Sequence, residues 1–184
     1  MSASFAAVDS PHRLITPGPV LLVSVGDGSD DNVFSVAWSM ALRKAPPMVA
    51  ILSGKGHYSW DLMESTGEFG LSVPDASLAE AVLYCGRYSG RDVPDKFSAA
   101  GLTRAPARII AAPLVQEAVG HLECRICHVV DMGYSSLLVA SVVFAEARED
   151  CFTEGSWDFS GGLRLIHHLG GDRFSVSSGV LGAD

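Results

Sequence analysis

HLECRICHVVDMGYSSLLVASVVFAEAR, residues His121 to Arg148, holds the two longest strand-like runs in the chain, His121 to Met132 and Ser135 to Arg148. β-Branched and aliphatic residues dominate both runs, and Met132-Gly133-Tyr134 leaves room only for a tight turn between them. Long strands joined so closely pair antiparallel and twist, so the pair predicts a sheet that curves toward a barrel. Upstream, Pro19 to Val25 reads as a strand, Gly26-Asp27-Gly28-Ser29-Asp30-Asp31 as a turn, and Asn32 to Trp38 as the returning partner. Pro47 to Ser53, Glu68 to Val73 and Leu114 to Ala118 add shorter strands, with a helix built on Tyr58, Leu62 and Met63. Ser77 followed by Glu80 has the form of a capping box opening a second helix over Leu78 to Leu83. Glu149 to Phe159 reads as irregular, and Arg173 to Ser177 as a last short strand. Strands outnumber helices and do not alternate with them, so the predicted class is mainly β with short helices, an antiparallel barrel rather than a doubly wound sheet.

The chain has 184 residues, 48% of them hydrophobic and 18% charged, which suits one globular domain with its own core. The expected organisation is a single domain over residues 1–184, with a core at about 15–148 and a C-terminal extension at 149–184. A net charge of -8 leaves no broad basic surface, so no nucleic-acid partner is expected. Asp9 and Pro11 stand where a signal peptide would have its apolar centre, and the longest apolar stretch, Leu137 to Ala147, is too short to span a bilayer. A cytoplasmic protein without a membrane partner is therefore expected, with its four cysteines reduced.

Cys124-Arg125-Ile126-Cys127-His128 matches the C-x-x-C-H string of haem attachment. On a strand, however, Cys124 shares a face with Leu122 and Ile126, whereas Cys127 points the other way with His121, Glu123 and Arg125. The sulfurs diverge, so no haem is expected. Ser53-Gly54-Lys55-Gly56-His57-Tyr58-Ser59 lies between a strand and a helix, where glycines, Lys55, His57, hydroxyls and free amides can cradle a phosphate. As residues alone, it reads more readily as a solvated loop capped by Ser59. Tyr84 to Phe97 gathers Arg87, Arg91, Lys96, Tyr84 and Tyr88 around paired glycines, a composition suited either to wrapping a ligand or to a surface turn of exposed ion pairs. His167-His168 lacks nearby residues that would complete a metal site, and no catalytic serine elbow or zinc motif is present in the sequence. Any chemistry is then expected from a bound organic cofactor.

Taken in order, NVFSVAWSMALRKAPPMVAI (32–51), GHYSWDLM (56–63), GEFGLSVP (67–74), YCGRYSGRDVPDKF (84–97) and APLVQEAVGHLEC (112–124) resemble the flavin reductase-like, flavoredoxin group of FMN-binding split barrels. HHLGGDRFSV (167–176) resembles that family's closing segment, with Phe174 where an aromatic hydroxyl is often found. The resemblance implies a six-stranded antiparallel split barrel, a homodimer, and noncovalent FMN near the subunit interface. It places Ala37, Trp38, Ser39 and Met40 along the isoalloxazine, and Ser53, Lys55, His57, Tyr58 and Ser59 on the phosphate side. Cys85, Ser89, Gly90, Arg91, Asp92 and Lys96 fall in the loop that closes over the flavin. The implied activity is that of an NAD(P)H:flavin oxidoreductase passing electrons through FMN to free flavin, a ferric complex or a protein partner. A flavoredoxin-type carrier that exchanges electrons with another protein, without its own nicotinamide site, is the alternative. A flavin-binding module without turnover is a third possibility.

Overall fold

Alternation of apolar residues and tight turns builds a sheet in which consecutive strands fold back on one another. The computed structural model describes residues 6–177 and 179–182. After a two-residue strand β1 (Gly18–Pro19), β2 (Leu21–Gly26) and β3 (Asp31–Val36) form the expected hairpin, with Leu21 opposite Val36 and Gly26 opposite Asp31. β4 (Ser39–Lys44) and β5 (Pro47–Gly54) make a second hairpin, and β6 (Glu68–Val73) follows helix α1 (Tyr58–Thr66). Gly67, with φ 68°, ends α1 in the left-handed conformation, and its N–H bonds the Met63 carbonyl. Helices α2 (Ala79–Arg87) and α3 (Lys96–Ala99) precede the short pair β7 (Arg104–Ala105) and β8 (Leu114–Val115). The long hairpin is β9 (Gly120–Asp131) and β10 (Ser135–Ala147), followed by β11 (Phe152–Thr153) and β12 (Ser156–Trp157). β13 (Ile166–Gly170) and β14 (Arg173–Val176) close the chain's strand order.

The main sheet has seven strands, where six were expected, in the order β3-β2-β6-β9-β10-β5-β4 with every neighbouring pair antiparallel. Its edge strands β3 and β4 are consecutive in sequence, separated only by Ala37 and Trp38. Those three Cα steps reach about 11 Å, whereas the edges of a flat seven-stranded sheet lie about 29 Å apart. The sheet must therefore curl until its edges nearly meet, although no ladder joins β3 to β4. Inside the curl, Val23, Val25, Ile51, Phe69, Leu71 and Leu138 pack with Trp60 and Met63 of α1. The opposite face of β2 and β3 packs Leu22 and Val33 against Val82 and Cys85 of α2 and Phe97 of α3. Ile166 joins that second cluster, because β13 pairs with β1 and with β14 to lay the C-terminal hairpin over it.

Several local expectations are corrected. Asp75, not Ser77, caps the turn before α2: its carboxylate accepts the Ser77 N–H at 2.9 Å, and the Ser77 hydroxyl donates to the same oxygen. The Leu114 to Ala118 strand shrinks to Leu114–Val115, because the Ala118 N–H turns back to the Val115 carbonyl. Cys124 is buried and Cys127 exposed as the alternation requires; Ile126 and His128 pair with adjacent residues of β10, leaving Cys127 as the extra residue of a bulge. Glu123 faces away from Cys124 but not into water. Residues 108–110 cover it, and its carboxylate accepts the N–H groups of Arg108, Ile109 and Ile110 at 2.6 to 3.0 Å. Among the described residues no helix is long and apolar enough to cross a membrane.

Candidate functional site

Two cavities adjoin where β3, β5 and the end of α2 meet, sharing Ser35, Val36, Leu52, Gly86 and Arg87. The inner one, about 310 Å³, lies against the end of β5 and the start of α1. His57 occupies the N-cap position of α1 without a side-chain cap, so the amides of Tyr58 and Ser59 are left for whatever enters. Ser53 and Ser59 bring buried hydroxyls to the same wall.

Lys96 completes this wall. Asp95 caps α3 by accepting the Ser98 N–H at 3.2 Å, and Arg104 ties Asp95 to Asp31 at the start of β3 with contacts of 2.8 to 2.9 Å. The Ser98 hydroxyl, the Ser98 N–H and Arg104, in that order, hold Asp95 well below the usual carboxylate range, at about 2. The next side chain, Lys96, is thereby turned inward and is only 3% exposed. Among the described residues no carboxylate pairs with it. Burial pushes the Lys96 ammonium pKa down, opposed by Cys85, while burial pushes the Cys85 thiol up to about 11. An unpaired buried cation is costly unless an anion joins it.

Asn32, which the alternating pattern marks only as a strand residue, also lines the inner cavity. It is 2% exposed and its Oδ1 has no hydrogen-bond partner. Gly90 makes this arrangement possible, since a Cβ there would come within 2.8 Å of Asn32 Oδ1 and 2.6 Å of the Tyr58 ring. The inner cavity thus offers several donors for an oxyanion and one orphan acceptor for a hydroxyl or N–H.

Sequence-predicted residues divide between inside and outside. Ser53, His57, Tyr58, Ser59, Cys85, Ser89, Gly90 and Lys96 line the inner cavity, although the Tyr58 hydroxyl is engaged, donating to both Asp30 oxygens at 2.5 and 2.6 Å. That carboxylate pushes the Tyr58 phenol up. Lys55 turns away and pairs with Asp131 at 2.6 Å. Arg91 binds Asp61 and the Gly56 carbonyl, each at 2.8 Å, so it staples the glycine turn to α1 from outside. Asp92 lines neither cavity, and its N–H bonds the Ser89 carbonyl.

The outer cavity, about 580 Å³, has apolar walls from Val20, Val36, Leu52, Val82 and Phe174. Ala37 and Trp38 line it, and the Trp38 carbonyl accepts the Leu52 N–H at 3.0 Å. Ser39 and Met40 lie on β4 and reach neither cavity. His168 lines it as well, whereas His167 bonds Ser177, so the adjacent histidines do not converge. Among the described residues no three His, Cys, Asp or Glu side chains gather to hold a metal. A donor-rich pocket opening into a larger apolar one suits a ligand with an oxyanion at one end and a flat ring at the other.

The family model described as the flavin reductase like domain matches residues 13–168. The chain belongs to this flavin reductase-like family. The uncharacterized protein YddH of Escherichia coli is 34% identical over 180 residues, covering 94% of this chain and 95% of its own. An NADH-dependent FAD reductase of Streptomyces globisporus is 28% identical over 142 residues, covering 76% of each chain. An FMN-binding domain of a flavin reductase-like enzyme from Shewanella baltica superposes with a TM-score of 0.84 at 26% identity, covering 97% of both chains. The match extends past β10 to His168 in β13, short of the rest of the hairpin that walls the outer cavity.

Proposed function

We propose that this protein is an oxidoreductase that holds FMN noncovalently across the two cavities and passes electrons from NAD(P)H to an acceptor such as free flavin, a ferric complex or a protein. The observation that carries the reading is Lys96, a buried ammonium without a counter-ion in a donor-lined pocket that opens into a larger apolar one. A flavin phosphate carries nearly two negative charges and supplies the missing anion. Ser53, Ser59 and the amides opening α1 would add hydrogen bonds, and Asn32 Oδ1 would accept from the hydroxyl-bearing chain. Val36, Leu52 and Trp38 supply walls for the ring. When held by Lys96, Ser53, Ser59 and the amides that open α1, FMN would supply the two-electron exchange between a dihydronicotinamide and an acceptor that no side chain here can carry out. The chain's own part is to bind, orient and partly desolvate that exchange.

We also propose that the protein pairs with a second copy in an isologous dimer. Met40 and Leu42 on β4, Val129 and Val130 on β9 and Met132 and Tyr134 at the turn are exposed on one half of the sheet. Nearly all of edge strand β4 is exposed with them.

Purified protein should be yellow, lose its flavin to the supernatant on acid precipitation, and oxidise NADH or NADPH when acceptor is present. A colourless protein that binds no added FMN refutes the reading. A stoichiometric FMN that no nicotinamide reduces instead supports the electron-carrier alternative. Sedimentation of the FMN-loaded protein tests the dimer, and a flavin-bound monomer overturns it.

A further inference from the structure

A buried polar atom without a partner marks a bond that the fold leaves for something else to complete. Two side-chain atoms are of this kind among the described residues: Asn32 Oδ1 in the inner cavity, and Ser136 Oγ on β10. Ser136 is fully buried, at 0% exposure, and lines neither cavity itself. It stands directly opposite Ser53 of β5, so the two side chains leave the same face of the sheet. That face is the inside of the curl, since the next pair along it, Leu138 opposite Ile51, packs with Trp60 and Met63 of α1. The row therefore changes from apolar side chains to two hydroxyls where it reaches the inner cavity. On its other side Ser136 pairs with Asp131 of β9, whose Oδ1 is taken by Lys55 and the Gly133 N–H.

Cβ atoms of directly opposed residues on antiparallel strands lie about 4.5 to 5.5 Å apart, so rotation about χ1 brings two such hydroxyls into hydrogen-bond contact. If FMN lies as proposed above, Ser53 meets the phosphate. A phosphate dianion only accepts, so Ser53 spends its one proton there and is left able only to accept. Ser136 is the buried hydroxyl placed to donate to it. We propose that Ser136 is a positioning residue for the flavin phosphate: its hydroxyl donates to Ser53 Oγ and holds the Ser53 proton on a phosphate oxygen. Each bond in such a chain polarises the next, so Ser53 donates more strongly with Ser136 than without it. This inference rests on the flavin reading.

The test titrates FMN and riboflavin against wild-type protein, Ser136→Ala, Ser53→Ala and the double variant, and records the phosphorus NMR resonance of bound FMN. Ser136→Ala should weaken FMN about threefold, less than the loss of a whole hydrogen bond, while leaving riboflavin unchanged and shifting the phosphorus resonance. In the Ser53→Ala background the same substitution should move neither FMN affinity nor the resonance, because its effect runs through Ser53. The urea midpoint of the apoprotein should not fall, since the hydroxyl removed has no partner there. Four outcomes overturn the proposal while leaving the flavin reading intact: an equal loss for both flavins, a loss that persists without Ser53, a lowered apoprotein midpoint, or an affinity and resonance that do not move. Wild-type protein that binds neither flavin removes the flavin reading as well.

Discussion

The inner cavity is walled by strand ends and helix starts already held by the core, whereas the outer cavity is finished by two terminal segments, residues 12–16 and the β13–β14 hairpin. The inner wall keeps Lys96 unpaired and buried, whereas Arg87, which lines both cavities, is exposed and neutralised by Asp172. A largely desolvated ammonium gains more from an anion that enters its cavity than an exposed one does. Exposed charges at an open mouth suit a ligand that comes and goes, since their pull is weakened by solvent and salt. The two cavities thus hold their charge in different ways.

Lys96→Met is the strongest attempt to break this contrast. Loss of the charge-assisted contact should weaken FMN by about 2 kcal/mol, roughly thirtyfold, with a much smaller loss for riboflavin. Without ligand the same substitution should raise stability by about 1 kcal/mol, because it removes an uncompensated buried charge of similar size. Flavin titration and urea unfolding of the apoprotein give both numbers. If apoprotein stability falls with FMN affinity, Lys96 is an ordinary structural residue.

The same lysine sets a pH signature. Its folded pKa is depressed, so between that value and the ordinary lysine value of 10.5 the unfolded chain binds more protons than the native one. Apoprotein stability should therefore gain as pH rises through this window. FMN affinity should move oppositely, since the phosphate interacts with the protonated ammonium. Both dependences should vanish in Lys96→Met; an FMN affinity that is flat across the alkaline range in wild type contradicts the assignment.

Ser59→Ala and Ser53→Ala should each cost FMN about 1 kcal/mol, the usual net worth of one hydrogen bond. Paired with Lys96→Met they form a cycle, and non-additive losses are expected if all three meet one phosphate. Additive losses, shared equally by riboflavin, would move the phosphate elsewhere.

Strand alternation reads β2, β3, β5, β6, β9 and β10 to within a residue or two, because each has at least one face in the core. Edge strand β4 escapes it: Met40 and Leu42 are exposed, so apolar residues there mark no buried face. β13 escapes because His167-His168 gives no alternation and its partner β1 is only two residues long. The donor-rich turn before α1 is legible, since glycines followed by a helix start imply free amides. Which cation enters the pocket is not legible, because Lys55, Arg91 and Lys96 all stand in suitable loops. Lys96 enters it from the start of α3, next to the Asp95–Arg104–Asp31 bridge that joins distant segments. Asn32 is hidden for a similar reason: its orphan oxygen follows from Gly90 closing over it, a contact between segments far apart in sequence.

The smallest effect is expected at a residue that the resemblance assigns to the flavin but that lines neither cavity. Arg91 stands in the SGRD segment whose resemblance assigns it to flavin, yet its guanidinium is spent on Asp61 and the Gly56 carbonyl. Arg91→Ala removes an exposed ion pair, which is worth well under about 1 kcal/mol. It also frees the glycine turn, but that turn remains held by the bond from the Lys55 N–H to the Tyr134 carbonyl at 3.1 Å. FMN affinity should therefore fall by no more than about 0.5 kcal/mol, and riboflavin affinity by the same amount, because only turn position is affected. Lys55→Ala should behave alike, its partner being Asp131 rather than a ligand. A large FMN-specific loss in Arg91→Ala would mean that the guanidinium leaves Asp61 when flavin binds. The inner cavity would then close from the loop side rather than being held by the core alone, and the contrast between the two cavities would narrow to one of degree.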